Sequence, residues 1–462
     1  MPASEDRSWT IAPTLAWFGA ALAIGLVVFD GDLLAVADRL TAKREDGPPP
    51  AGPVFTAPPP IVAEADDPVA PVPPPATDTR DRSRTASLED VCVEGTPTAC
   101  KRWGMDGFYR SVAKTKQSKL GRALRVSWYG DSVIATDTIP GRLRRRLQAE
   151  LGDGGPGFVY IVQPHRFCVH EDVSRTAAGG WIAHGISTVT SADRLYGVGG
   201  SSAETYGGRA TLRLVHGTAT NLELYYLGQP RGGTAVVTAD GTEIMRADTA
   251  AEAKQAGYAS GTTTAAKKLE VATTGKVRLF GMSIENASGA TVDNLGIVSV
   301  NVKSFGNQDA AHFSAELAHR NADLVMIMIG ANEAHWLKPG ERVMRDYQAR
   351  FEQVLAMLRK ARPEGACLVI SPTDQAEAKD GSFPSRPVMP VLVEVQRKAA
   401  HASGCAFYAT YDWMGGKGSA SKWYKKRLVG SDFTHLTRAG ANKLSDGLFE
   451  ALLAGYRKYA TP

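Results

Sequence analysis

Four short apolar runs constrain this chain most: RALRVSWYG (122–130), NADLVMIMIG (321–330), GACLVISP (365–372) and GCAFYAT (404–410). Amphipathic helical periods lie between and after them. Strands this apolar leave neither face for water, so the alternation points to a parallel sheet covered on both sides, a three-layer α/β fold. Helices are expected over 138–151, 341–361, 388–402 and 437–459. The first has Pro140 in its opening turn and Gly152 just past its end, the usual punctuation of a helix.

The interval between the first two runs is far longer than the dozen or so residues a crossover needs. From about 208 the text changes to short alternating segments, RATLRLVHG, NLELYYLG, TAVVTADGTEI and KKLEVATTGKVRLFGMSIEN, divided by Gly and Thr turns. The DG and TG dipeptides between alternating runs are hairpin signals. An antiparallel β-sandwich inserted over 206–305 is therefore expected, splitting the α/β domain into 87–205 and 306–462.

The N-terminal part reads differently. WTIAPTLAWFGAALAIGLVVF (9–29) carries no charge and is long enough to cross a bilayer as a helix. Proline triplets at 48–50, 58–60 and 73–75 then make an extended spacer. The expectation is a membrane anchor or signal segment over 1–32 and a Pro-rich linker over 33–86. The flanking charges, Arg7 before the apolar stretch and Arg39, Lys43 and Arg44 after it, lean against export.

The cysteines lean the other way. Cys92 and Cys100 flank a short Gly- and Pro-containing loop and are expected to form a disulfide, which needs an oxidising compartment. Cys367 and Cys405 read as buried thiols in apolar strands, and Cys168 is left unpaired. With the proline spacer, these place the body in the cell envelope, outside the cytoplasm. The 53 basic and 48 acidic residues are interspersed, which excludes the basic footprint of a nucleic-acid binder. The densest basic run, Arg142 with Arg144, Arg145 and Arg146, reads as a solvated helix face.

Three polar clusters interrupt this architecture at element ends. Gly130-Asp131-Ser132 ends the first apolar run, where a parallel strand presents residues to a crevice at its C-terminal edge. The surroundings are not a G-x-S-x-G elbow. Gly330-Ala331-Asn332-Glu333 ends the second run, and an asparagine amide there could donate to a developing oxyanion. Asp432 precedes His435 by three residues just before the last helix, a spacing that lets a carboxylate orient an imidazole base. Metal ligation finds no support: His165 and His170 lack a third ligand of obvious geometry, and no cofactor is implied. Phe167, Glu171 and Asp172 in the same loop either line a cleft or decorate the surface.

GDS, GANE and DFTH in that order resemble three conserved blocks of the SGNH (GDSL) hydrolase superfamily. The resemblance implies a flavodoxin-like sheet, with Ser132 as nucleophile, His435 as base and Asp432 as its orienter. It also implies an oxyanion hole from Asn332 and the Ser132 N–H. The block that supplies a further N–H falls in DNLGIVSVN, where Ser299 stands at a position the family fills with glycine and Gly296 is the glycine before it. GDGGPGF (152–158) and the inserted β-region resemble exported esterases of the peptidoglycan O-acetylesterase type, whose insertion is a jelly-roll, carbohydrate-binding-like domain. That likeness implies hydrolysis of O-acetyl groups on a cell-wall or extracellular polysaccharide. The same triad could instead transfer acetyl to a glycan, or stand vestigial in a tethered glycan-binding protein.

Overall fold

The computed structural model describes residues 83–85 and 87–461. Its centre is a seven-stranded sheet built from β1 (Arg84–Thr85), β2 (Leu88–Glu89), β3 (Leu124–Gly130), β4 (Ala290–Gly296), β5 (Leu324–Met328), β6 (Ala366–Ile370) and β7 (Ala406–Tyr408). The order across the sheet is β1-β2-β7-β6-β5-β3-β4. Strands β3 to β7 run parallel, and β2 joins β7 antiparallel.

The helices used below are α1 (Asp106–Lys116), α2 (Ser132–Ala135), α3 (Thr138–Leu151), α4 (Ala310–Arg320), α5 (Glu333–Trp336), α6 (Glu341–Ala361), α7 (Met389–Ala402), α8 (Thr410–Met414), α9 (Ser419–Lys425) and α10 (Arg438–Ala460). Alternate strand residues feed two separate cores, as period-two geometry requires. Val126, Trp128, Met326 and Leu368 meet Phe108 of α1, Leu143 of α3 and Leu448 of α10 on one face. Tyr129, Ile327 and Val369 meet Phe313 of α4, Leu355 of α6 and Leu392 of α7 on the other.

Strand β4 corrects the expected domain boundary, because it lies inside the range 206–305 yet belongs to the central sheet. Its sequence, ATVDNLG, carries two polar residues that mask it. Both are buried and bonded. Asp293 accepts from Ser127 Oγ at 2.7 Å, from the Phe158 N–H at 2.7 Å and from Arg320 Nη2 at 2.7 Å. Asn294 reaches the Ala135 carbonyl at 3.3 Å. A buried charge held this way is tolerated where an isolated one is not.

The intervening region forms two antiparallel sheets of five and six strands, which share a core of Leu212, Leu224, Val237, Leu269, Leu279 and Met282. They start at Gly157 and end at Glu285, earlier at both ends than expected. Glu285, at the end of the last of these strands, bonds Arg125 of β3 at 2.6 Å and Arg320 of α4 at 2.6 Å. This network ties the inserted sheets to the central one.

Cys367 and Cys405 are joined by a disulfide, which corrects their reading as thiols. Adjacent parallel strands β6 and β7 bring their Cα atoms to 4.7 Å. Cys92 and Cys100 are also bonded, across the hairpin Cys92–Thr96 and Ala99–Trp103. Among the described residues no helix is long and apolar enough to cross a membrane; the uncharged stretch 9–29 lies outside them.

Candidate active site

Strand β3 ends at Gly130 because nothing larger fits: a Cβ there would lie 2.3 Å from Ile134 Cγ1 of α2. Asp131 then caps α2, accepting the Val133 N–H at 2.9 Å, and Ser132 opens the helix. The serine hydroxyl stands 2.8 Å from His435 Nε2. His435 Nδ1 lies 2.5 Å from Asp432 Oδ2.

The loop carrying the last two residues is held by its own backbone. Asp432 Oδ1 accepts the N–H groups of Thr434 and His435, each at 3.0 Å. Phe433 between them takes a left-handed φ of 54°, and its ring stacks on Phe383 at 4.6 Å. Burial works to raise the Asp432 pKa, but the hydrogen bonds from His435 and Thr434 outweigh it, so the carboxyl sits below its ordinary value. The carboxylate is thus ionised and fixes a proton on Nδ1, leaving Nε2 as acceptor toward Ser132.

Asn332, one residue before α5, donates through Nδ2 to the Val300 carbonyl at 2.8 Å. An amide has two hydrogens, so one remains for the cleft. Ser299 and Gly296, the two candidates for a further N–H, separate clearly. The Gly296 N–H is bonded to Asn294 Oδ1 at 3.0 Å, and a Cβ on Gly296 would lie 2.5 Å from the Ala135 nitrogen. Gly296 is there for close packing against α2, and its place as an oxyanion donor is corrected. Ser299 lines the cleft, and its N–H has no acceptor among the described residues. Its φ is 63°, the left-handed region that favours glycine. The departure at Ser299 thus changes the residue and keeps the backbone conformation a glycine would supply.

The cleft holds about 530 Å³ and is walled by Val133, Ile139, Phe167, Val298 and Leu436 beside Ser132. His165 also lines it, while Glu171 and Asp172 bind arginines beneath. Arg144 corrects the reading of its run as a solvated face. It is fully buried and bonds Asp137 at 2.6 Å and Asp172 at 2.5 Å. Asp137 also accepts the Glu171 N–H at 2.7 Å, so one buried cluster anchors the loop bearing His165 and Phe167 to the turn after α2.

Glu333 received no role from the sequence. It is fully buried, and its Oε1 accepts the Val302 N–H at 2.7 Å. Burial pushes its carboxyl up to about 7, and burial likewise pushes neighbouring Asp131 up to about 6. Glu333 and Asn332 therefore clamp the 299–302 turn from adjacent positions. Only its place directly after Asn332 could have flagged it.

Residues 238–443 match the model of the GDSL-like lipase/acylhydrolase family. A solved peptidoglycan O-acetylesterase shares the fold with a TM-score of 0.66 at 23% identity, over 76% of this chain and 96% of that one. Over residues 238–443, less than half of its length, the chain is similar to GDSL-like lipase/acylhydrolases. The family match begins within the inserted sheets, downstream of Ser132, and takes in Asn332, Asp432 and His435. A catalytic mutant of an acetylxylan esterase from Geobacillus stearothermophilus is 19% identical over 36% of this chain and 73% of its own, with a TM-score of 0.26. No curated protein sequence matches the chain.

Proposed function

We propose that this ester-bond hydrolase works through an acyl-serine intermediate and removes O-acetyl groups from a cell-wall or extracellular polysaccharide. One observation carries the mechanism: the chain Asp432, His435, Ser132, bonded at 2.5 and 2.8 Å and opening on a cleft. His435 Nε2 takes the Ser132 proton as Oγ attacks the ester carbonyl, and Asp432 stabilises the imidazolium. The oxyanion is received by the free Asn332 amide hydrogen and the N–H groups of Ser132 and Ser299. The imidazolium then protonates the leaving alkoxide, and water, deprotonated by His435, releases acetate from the serine.

The two disulfides support a body folded in an oxidising compartment, with the residues before 83 as membrane anchor or signal segment and spacer. The shared fold with a peptidoglycan O-acetylesterase and the inserted sheets support a glycan substrate. Acetate release from p-nitrophenyl acetate and from O-acetylated peptidoglycan or xylan, beside Ser132→Ala, tests the reading. Ser132→Ala should lower kcat by at least about 10⁴-fold with the melting temperature kept. Activity that survives the substitution would remove the serine from the mechanism.

A further inference from the structure

Each of three chain segments that reach the cleft carries an exposed cation without a carboxylate partner among the described residues. Arg166 sits between His165 and Phe167, Lys303 follows the Ser299 turn, and Arg427 lies on the segment that closes the His435 loop. The backbone of the last is held there, because the Arg427 carbonyl accepts from Thr437 Oγ1 at 2.7 Å, just beyond Leu436 of the cleft wall.

Two of these cations lie over exposed aromatic rings. The Arg166 guanidinium is 4.7 Å from the Phe167 ring centre, and the Lys303 ammonium is 5.0 Å from that of Trp336. Phe167 is 50% and Trp336 46% exposed, although rings of this size are usually covered. Trp336 ends the helix that Asn332 precedes, and Glu333 of that helix grips the Val302 N–H beside Lys303. The second pair is thereby built onto the same clamp that holds the Ser299 turn.

The carboxylates close to the cleft are already engaged. Asp432 bonds His435, Glu171 bonds Arg145 and Arg438, and Asp131 and Glu333 are buried. The segments that reach the cleft thus carry exposed positive charge, two of the three cations beside exposed aromatic faces.

We propose that these segments recognise a sugar polymer bearing carboxylates, with Trp336 and Phe167 stacking on sugar rings and Lys303, Arg166 and Arg427 pairing with their acid groups. The inference rests on the polysaccharide esterase reading above and names the chemical class of its substrate. Neutral acetylated glycans meet the same triad but leave three cations unanswered. Exposed charge pairs are individually weak and are screened by salt, so the signature is a salt-dependent preference rather than an absolute one.

The test uses the full-length protein and acetylated polygalacturonate beside acetylated xylan, with p-nitrophenyl acetate as the small ester. At low salt KM for acetylated polygalacturonate should lie about fivefold below that for xylan, and the gap should close in about 0.5 M NaCl. The triple variant R166Q/K303Q/R427Q should close it as well, and Trp336→Ala should raise polymer KM relative to that for the small ester. Binding of de-esterified polygalacturonate to Ser132→Ala should show the same salt dependence without turnover. Equal KM for both polymers, or a preference indifferent to salt and to the triple variant, overturns the inference while the esterase reading stands. Loss of all three hydrolyses with salt-dependent binding intact overturns the esterase reading instead.

Discussion

Ser299 shows what a single backbone angle decides. At a φ of 63° its conformation is the one glycine adopts without cost, while a side chain with Cβ pays steric strain of about 1–3 kcal/mol there. Ser299→Gly should therefore keep kcat within about threefold and leave the melting temperature equal or higher. Ser299→Val, with a β-branched side chain, should lower both. A glycine variant with strongly reduced kcat would show that the serine side chain itself does chemistry. Ser132, Asn332, Asp432 and His435 could be singled out as candidates in the sequence because each stands at the end of an apolar run or before a helix. Gly296 against Ser299 was not, since the choice turns on which N–H is already bonded, a fact set by how the Asn294 side chain turns back onto its own strand.

Elements position the site by packing. Strand β4 touches α2 through Gly296, where an added Cβ would meet the Ala135 nitrogen at 2.5 Å. Gly296→Ala should push α2 and lower stability by about 1–3 kcal/mol, as overpacking does, with kcat falling about tenfold or more as Ser132 moves. An alanine variant with unchanged kcat and melting temperature would mean that α2 is not held from this side. Helix α4 meets the inserted sheets through Glu316, whose Oε1 accepts the Tyr258 hydroxyl at 3.0 Å. Burial pushes this carboxyl up to about 8 from an ordinary 4.5, with the Tyr258 bond pulling the other way. The folded state then holds a proton that the unfolded chain releases above about pH 4.5. Its contribution to stability is complete below that pH and is lost as pH rises toward 8. Glu316→Gln should make the melting temperature fall less steeply between pH 5 and 8; parallel slopes would put the pH dependence elsewhere. Sequence periodicity placed α3, α6, α7 and α10 within a residue or so of their ends, because a helix is a local structure. It missed β4 because Asp293 and Asn294 look like loop residues until Arg320 and Ser127 reach the first from other elements and the second donates to the Ala135 carbonyl.

At the scale of the whole molecule, the Cys367–Cys405 bond spans 38 residues and staples two neighbouring strands of the central sheet. Replacing both cysteines with alanine should cost about 2–4 kcal/mol, read as a lower urea midpoint, and reducing agent should lower the midpoint of the native protein similarly. A midpoint indifferent to both would make the bond incidental to stability. The inserted sheets are locked to the rest by Glu285, Arg320 and Asp293, so loss of Arg320 would leave the buried Asp293 carboxylate without its cation and Glu285 with Arg125 alone. The sequence by itself determined the alternation of strands and helices, the presence of inserted β-structure, and the order of serine, asparagine, aspartate and histidine. These depend on hydrophobic period and on element ends, which neighbouring residues specify. Only the tertiary structure decided that β4 joins the central sheet, that Cys367 meets Cys405, that Arg144 is buried, and that Glu333 holds the Ser299 turn. Each is a contact between residues distant in the chain, and its partner is chosen by how the sheet is ordered rather than by anything written beside it.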